Sequence, residues 1–204
     1  MHSSNGSFRR RCHIFTFLVI NGGILMVNTE LFTEKPDCTD RLPKEERVYD
    51  LLHTLAIPFV GVDHDVAPTI EACREIESVL GVMPCKNLFL RNRQKTEFYL
   101  LLMPGDKKFV TKNLSHQLQI SRLSFAEPEF MEKFLDITPG SASILGLMND
   151  SERRVHLLID DEILAEESIG CHPCINTSSL KIQTADILEK FITYTGHPYT
   201  AVHL

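Results

Sequence analysis

Helical and strand-like periodicities follow one another irregularly along this chain, and their order restricts the folds that it can adopt. Apolar residues recur every three or four positions over residues 43–56 and 184–194, as they do on the buried face of a helix. Short apolar runs bounded by turn residues, which are typical of strands, occupy residues 87–90, 97–103 and 155–159. These elements lack the strict strand–helix–strand order of a doubly wound fold. The pattern therefore predicts the α+β class, with a largely antiparallel, curled sheet packed against helices in a single compact domain.

Individual residues predict where several elements begin and end. Pro43 suits the first turn of a helix, and Thr69 and Gly81 predict the two caps of a second helix. The polar turn at residues 92–95 predicts that the apolar runs on either side pair as a hairpin. The other predicted elements are a strand over 59–62, a less regular helical stretch over 113–135, a turn at 160–162, and strands over 163–168 and 179–182.

Charge and cysteine content exclude some classes of protein. The formal net charge of −6 argues against a protein that coats nucleic acid, because such proteins need many cations to neutralise phosphates. A local excess of lysine and arginine nevertheless lies between Lys86 and Lys112. The six cysteines are too irregularly spaced for a disulfide framework, so reduced thiols in a cytoplasmic protein without a membrane segment are expected.

The N-terminal segment differs from the rest of the chain. An arginine run at 9–11 and the apolar stretch after it imitate a signal peptide, but residues 21–23 interrupt the stretch and no small-residue cleavage site follows. The uninterrupted apolar part is also too short to span a bilayer. We interpret residues 1–25 as a non-native extension, a mistranslation of the region before a natural start at Met26. Residues 26–42 are interpreted as an N-terminal arm, and residues 43–204 as the functional domain.

Three short segments carry residues suited to chemistry. Lys86 and Asn87 open an apolar strand, where the lysine places a cation at the strand mouth. In the loop over 139–146, glycine and small residues let backbone N–H groups approach an oxyanion or a phosphate. His172 is followed by a proline and can donate hydrogen bonds or move a proton. Each segment alone is common in proteins, and spacing does not by itself join them into a site.

Taken in order, these segments are similar to a known family. The most specific piece is SIGCHPCINTSSLKIQTADILEKFI, supported by KNLFLRN and PGSASILGLMND. They resemble the trans-editing prolyl-tRNA deacylases, the YbaK-like relatives of the insertion domain of bacterial prolyl-tRNA synthetases, over residues 47–191. The resemblance implies the α+β editing fold and hydrolysis of a wrong aminoacyl ester at the terminal adenosine of tRNA for proline. It implies no cofactor and no metal.

The resemblance also assigns roles to residues. Lys86 would contact the terminal nucleotide, Gly140 and the following backbone would hold the aminoacyl carbonyl and the ribose, and His172 would assist positioning. These three residues are the implied catalytic set. The implied substrate-binding residues are Asn87, Ser141, Ala142, Ser143, Ile144, Asn149, Asp150 and Asn176. A water molecule would attack the ester while backbone N–H groups stabilise the developing oxyanion.

The substrate and the partners follow from the same resemblance. The expected partner is the acceptor end of tRNA for proline, with transient association with prolyl-tRNA synthetase. The family's loop usually carries a proline where Ile144 stands, so this loop is less stiff or its amino-acid pocket is reshaped. Alanine is the first choice for the amino acid removed, and serine, cysteine or another small residue are the alternatives.

Three other functions compete with editing. Cys171 and Cys174 form a CxxC sequence, which suits a thiol redox protein, although redox motifs of this type lie between an early strand and a helix. A structural zinc site would need four ligands, and only one CxxC is present. A catalytically weak or inactive module that binds aminoacyl-tRNA is the third alternative.

Overall fold

The computed structural model describes residues 15–20, 23–28, 30–66 and 70–204. The strands are β1 (Phe15–Ile20), β2 (Gly23–Asn28), β3 (Phe59–Asp63), β4 (Cys85–Arg91), β5 (Phe98–Pro104), β6 (Ser124–Phe125), β7 (Val155–Asp160), β8 (Ser168–Cys171), β9 (Ser178–Gln183) and β10 (Tyr199–Val202). The first helices are α1 (Pro43–Thr54), α2 (Ile70–Leu80), α3 (Thr111–Gln117), α4 (Pro128–Leu135) and α5 (Asp161–Ala165). Helix α6 is α-helical over Thr184–Asp186 and Ile192–Thr195 and π-helical over Ile187–Phe191, and a 3₁₀-helix spans Ile144–Asn149.

The largest sheet is built around β5, a strand in which every residue is buried. Its strand order is β10-β7-β5-β4-β6. The predicted hairpin is confirmed, because β5 pairs with β4 antiparallel across the turn at 92–95. On its other side β5 pairs with β7 in parallel, and β10 also joins β7 in parallel. A second sheet, β3-β9-β8, is antiparallel, so the α+β class is confirmed, with mixed and antiparallel sheets.

Helices α1 and α6 cover the main core. The predicted apolar stripe of α1 is buried at Val48, Leu51 and Leu52, and Pro43 is its first residue. From α6, Ile187 and Phe191 join the same cluster at 0% exposure. Side chains of β5 and β7 complete this cluster, so both helices are held by apolar burial against the sheets.

Helix α2 packs against the second sheet. Ile76 and Leu80 are buried against Val62 of β3. Gly81 follows the helix at φ +63°, the left-handed conformation of the predicted C-terminal cap. The predicted N-terminal cap, Thr69, lies outside the described residues.

The strand predicted over 163–168 is wrong. Helix α5 occupies the first part of that range, and β8 begins at Ser168. The helix starts because the Asp160 carboxylate accepts a hydrogen bond from the Glu162 N–H at 3.1 Å and so caps the first turn. The predicted turn at 160–162 is therefore the beginning of a helix.

Two further differences concern short elements. The helical stretch predicted over 113–135 is divided into α3 and α4 by β6; Gln119 takes φ +56° shortly after α3, and Pro128 starts α4. Strand β10 was not predicted, because three of its four residues are exposed and it carries no apolar pattern.

The N-terminal segment is described only in part. Residues 15–20 and 23–28 pair as the antiparallel hairpin β1–β2, and the other residues before 30 lie outside the described chain. The interpretation of 1–25 as an extension stays a prediction. Among the described helices, none is both long and apolar enough to cross a membrane.

Candidate active site

One pocket, with a volume of about 340 Å³, lies where α2, β4, β8 and the loop after α4 meet. Its walls combine apolar side chains with a few polar ones. The residues lining it are Glu77, Leu80, Cys85, Lys86, Asn87, Leu88, Phe89, Phe125, Ala126, Met131, Pro139, Gly140, Ala142, Gly170, Cys171, His172 and Ser179. A concave apolar pocket with a small number of polar groups is the usual form of a small-molecule or active site.

Lys86 enters this pocket from β4. Its Nζ donates hydrogen bonds to Gly105 O at 3.2 Å and to Lys107 O. Burial lowers the pKa of Lys86. An ammonium group has three N–H bonds, so one donor is left for a ligand after these two carbonyls are satisfied.

Asn87, the next residue of β4, also lines the pocket. Its Oδ1 is buried and accepts no hydrogen bond from the described residues. Buried polar atoms are rarely left unpaired, and an unpaired one at a pocket wall indicates a missing donor.

The loop over 139–143 presents backbone groups to the same space. Ser141 closes it, since its Oγ donates to Thr138 O at 2.8 Å and accepts from Thr138 N at 3.1 Å. Gly140 has φ +88°, and a Cβ there would lie 3.3 Å from Asn176 Nδ2, so a glycine is required. Gly140 and Ala142 line the pocket, and within the described chain their N–H groups have no acceptor.

His172 belongs to a hydrogen-bonded chain with Ser179, which also lines the pocket, and with His64. Because a carbonyl only accepts, Ser178 O at 3.0 Å places the His172 proton on Nδ1, and Asp65 O at 2.7 Å does the same for His64. Ser179 Oγ lies 3.3 Å from His172 Nδ1 and 2.9 Å from His64 Nε2, to which it donates. The lone pair of His172 Nε2 is thus left for the pocket.

The imidazole rings of His64 and His172 are both neutral near pH 7. Burial lowers the pKa of His64 to about 4 and also lowers the pKa of His172. A neutral His172 with its proton on Nδ1 can accept a hydrogen bond or a proton at Nε2.

Five of the six other sequence-predicted substrate-binding residues hold the protein itself together, and the sixth, Asn176, does not line the pocket. Ser143 caps the 3₁₀-helix by accepting from Leu145 N at 3.2 Å, and Ile144 lies in the core at 0% exposure. Asn149 Nδ2 donates to Leu135 O at 2.9 Å. Asp150 accepts from Val155 N and from His197. The side chains of Ser143, Ile144, Asn149 and Asp150, and that of Ser141, do not contribute to the pocket wall, and their substrate-binding role stays a prediction.

Sequence reasoning missed several residues of the pocket. Glu77 lies beside the apolar face of α2, where a carboxylate is normally solvated, so its position carries no signal. Phe125 lines the pocket and is 58% exposed, but its two-residue strand was not predicted. His64, which lies outside the three segments, supports His172 through Ser179.

The cysteine pair does not have the properties of a redox motif. Cys171 and Cys174 are buried free thiols. Burial raises the pKa of Cys171, and it raises the pKa of Cys174 to about 12, so the reactive thiolate is disfavoured in both. Among the described residues, no group of three or more His, Cys, Asp or Glu side chains is arranged to hold a metal ion.

Part of the basic stretch between Lys86 and Lys112 is neutralised. Lys107 pairs with Asp160 at 3.0 Å and with Glu162 at 2.7 Å, and Arg91 pairs with Glu127 at 2.8 Å. The exposed cations Arg93, Lys108 and Lys112 are thus the ones left to attract phosphates.

Comparison with known proteins identifies the class. Residues 64–190 match the aminoacyl-tRNA editing domain family, and the chain belongs to this family. It is 29% identical over 160 residues to the prolyl-tRNA editing protein ProX of Acetoanaerobium sticklandii, a match that covers 78% of this chain and 97% of ProX. It is also 29% identical over 150 residues to prolyl-tRNA synthetase associated domain-containing protein 1 of Danio rerio, covering 72% and 80% of the two chains.

A solved structure shows the same fold. The chain aligns with the "Crystal structure of a putative trans-editing enzyme for prolyl tRNA synthetase" at a TM-score of 0.60 and 14% identity, covering 80% of this chain and 98% of the other. The resemblance inferred from the sequence to the prolyl-tRNA editing family is therefore confirmed.

Proposed function

We propose that this protein hydrolyses the ester of a wrongly attached small amino acid, alanine first, on tRNA for proline. The observation that carries the proposal is that one pocket collects Lys86, Asn87, Gly140 and His172 from three segments far apart in the sequence. The names of the relatives, which refer to prolyl-tRNA editing and to prolyl-tRNA synthetase, support tRNA for proline as the partner.

The donors of the pocket suit the transition state of ester hydrolysis. Attack on the carbonyl turns its oxygen into an oxyanion, and the Gly140 and Ala142 N–H groups are donors without another acceptor in the described chain. One such donor is typically worth about 10²–10³ in rate. The ammonium group of Lys86 has one N–H left to donate, and its positive charge can stabilise the oxyanion or the terminal phosphate.

His172 suits the other half of the reaction. Its Nε2 is an acceptor, because the carbonyl of Ser178 fixes the proton on Nδ1. It can therefore orient the attacking water, directly or through a ribose hydroxyl, and accept its proton during attack. The same proton is then returned to the ribose oxygen as the ester C–O bond breaks. Ser179 and His64 extend the hydrogen-bonded chain on the Nδ1 side of His172.

Size and shape of the pocket support selection for a small amino acid. Apolar side chains such as Leu80, Phe89 and Met131 limit the space beside the polar groups, and larger residues would be excluded as in double-sieve editing. Phe125 at the rim offers an exposed ring on which the terminal base can stack.

Deacylation assays test the proposal. Transfer RNA for proline is charged separately with alanine, serine, cysteine and proline, and release is followed with wild type and Lys86→Ala. Lys190→Ala is the matched control, because Lys190 Nζ also donates to a backbone carbonyl, Ala56 O at 2.9 Å, but lies away from the pocket. We expect rapid release of alanine, sparing of proline, and a loss in Lys86→Ala of about 10²-fold that Lys190→Ala does not show.

Other results decide between the alternatives. Preferred release of serine or cysteine would replace alanine as the assigned substrate and would still support deacylase activity. No release from any charged tRNA would contradict the deacylase, and retained binding of the aminoacyl-tRNA would then favour a non-catalytic binding module.

A further inference from the structure

Two buried acceptors without donors belong to residues that line the pocket. Glu77 Oε2 and Asn87 Oδ1 are both buried, both lie on residues that line the pocket, and both have no hydrogen-bond partner in the described chain. Only two other buried side-chain atoms of the described residues share this condition, Thr184 Oγ1 and His197 Nδ1, and neither of those residues lines the pocket. Two of the four such atoms in the described chain therefore belong to residues of the candidate active site.

The carboxyl group of Glu77 is held in place by the start of β4. Its Oε1 accepts from Cys85 N at 3.1 Å, which leaves Oε2 as the free oxygen. Cys85 and Asn87 are two residues apart on one strand, so their side chains emerge on the same face about 7 Å apart. Glu77 is thus bonded to β4 two residues before Asn87, and both residues line the same pocket.

The neighbouring strand β8 passes close to this carboxyl group. A Cβ on Gly170 would lie 3.1 Å from Val82 Cγ2 and 4.0 Å from Glu77 Oε1. Together with the His172 Nε2 lone pair, this side of the pocket offers three acceptors and the 139–143 loop offers the donors.

A ligand that matches this arrangement carries several N–H donors next to a carbonyl group. We propose that Glu77, assisted by Asn87 Oδ1, binds the α-ammonium group of the aminoacyl ester and so acts as a specificity-determining residue. This inference rests on the proposed function and names the part of the substrate that the α2–β4 wall recognises. An ammonium has three donors and no acceptor, whereas a blocked amine has lost its charge.

The electrostatics of Glu77 agree with this role. Burial raises the pKa of Glu77 to about 7, and the Cys85 N–H and Arg74 lower it only in part. Among the other titratable residues that line the pocket, burial keeps the thiols of Cys85 and Cys171 and the ring of His172 neutral, and Lys86 is the cation. A bound ammonium would therefore supply the countercharge that favours the carboxylate form of Glu77.

A binding experiment with a stable substrate analogue tests the inference. The probe is 3′-alanylamino-3′-deoxyadenosine, in which an amide replaces the ester, and its N-acetyl derivative lacks the ammonium. We expect wild type to bind the free amine about 10- to 100-fold more tightly than the N-acetyl form, the range for hydrogen bonds to charged groups. Glu77→Gln should lose most of this preference and bind the N-acetyl form as wild type does.

Two controls separate recognition from folding. Gln keeps the oxygen that accepts from Cys85 N, so Glu77→Gln is expected to fold. Glu75→Gln changes an exposed carboxylate of the same helix and should keep the full preference for the free amine.

Because the analogue is not hydrolysed, its outcomes are independent of the deacylase proposal. A chain that prefers the free amine but releases no amino acid would contradict the deacylase and support the ammonium site. Wild type without a preference, equal weakening of both ligands by Glu77→Gln, or no binding of either ligand would each overturn the ammonium site.

Discussion

Two buried polar clusters of this protein contain similar groups and use them differently. In the Asp150 cluster, Asp150 Oδ2 accepts from Val155 N at 2.7 Å and from His197 Nε2 at 3.1 Å. The Asp150 and His197 side chains are only 2% and 1% exposed. The carboxylate is thus satisfied by the chain itself, and it ties the start of β7 to the segment before β10.

In the Glu77 cluster, formed by Glu77, Asn87 and His172, the acceptors are not satisfied in this way. One carboxylate oxygen of Glu77 accepts a hydrogen bond from Cys85 N, while its second oxygen and Asn87 Oδ1 have no donor in the described chain. The same chemical groups therefore stabilise the fold in one place and are left for a ligand in the other. Which donors surround a carboxylate, rather than its burial, separates the two roles.

Removing His172 should have the largest effect on activity. We expect His172→Ala to lower kcat/KM for deacylation of alanyl-tRNA for proline about 10²- to 10³-fold, since general acid–base groups contribute on this scale. The melting temperature should change little, because His172 lines the pocket and water can enter the space that its ring leaves. His156→Ala, an exposed histidine of β7, is the control. An activity loss explained by unfolding would mean that His172 stabilises the fold, as Asp150 does.

Removing Asp150 should act on stability instead. Asp150→Ala leaves the Val155 N–H and the His197 ring without their acceptor, and we expect the free energy of unfolding to fall by about 3 kcal/mol. Denaturant titration measures this change, and Asp150→Asn, which keeps an acceptor, should lose less. Activity per folded molecule should stay near wild type at low temperature. A specific loss of kcat in well-folded Asp150→Ala would instead support the predicted role of Asp150 in substrate binding.

The pH dependence of stability tests the burial of Glu77. Between pH 4.5 and about 7 the unfolded chain releases the Glu77 proton while the folded protein keeps it, so rising pH lowers the free energy of unfolding across this window. Gln cannot titrate. We therefore expect the melting temperature of Glu77→Gln, relative to wild type, to be higher at pH 8 than at pH 4.5. An equal difference in melting temperature between Glu77→Gln and wild type at pH 4.5 and at pH 8 would mean that Glu77 is solvated.

The cysteine pair should show the smallest effect. Because the thiolates of Cys171 and Cys174 are disfavoured, iodoacetamide at pH 8 should modify both much more slowly in the native protein than in urea, and a mild oxidant should leave deacylation unchanged. Peptide mass spectrometry measures the modification. A reversible disulfide between the two residues that switches activity would instead support the redox alternative.

Local signals predicted most of the fold. The stripe of α1, the cap Gly81, and the hairpin of β4 and β5 were correct because each depends on residues close together in the sequence. The strand predicted over 163–168 was wrong because the cap at Asp160 outweighed a weak apolar pattern. Strand β10 is held by pairing with β7, a contact between segments about forty residues apart that no local pattern records.

For the site, the sequence by itself determined the family and the three segments that meet in the pocket, because these are properties of residue order. Only the tertiary structure decided which side chains face the ligand. Gly140 and Ala142 line the pocket while Ser141 and Ser143, between and beside them, turn inward to bond the loop. Glu77 joins them from another element altogether. The direction of a side chain depends on the backbone angles and on neighbours distant in sequence, and these exist only once the chain has folded.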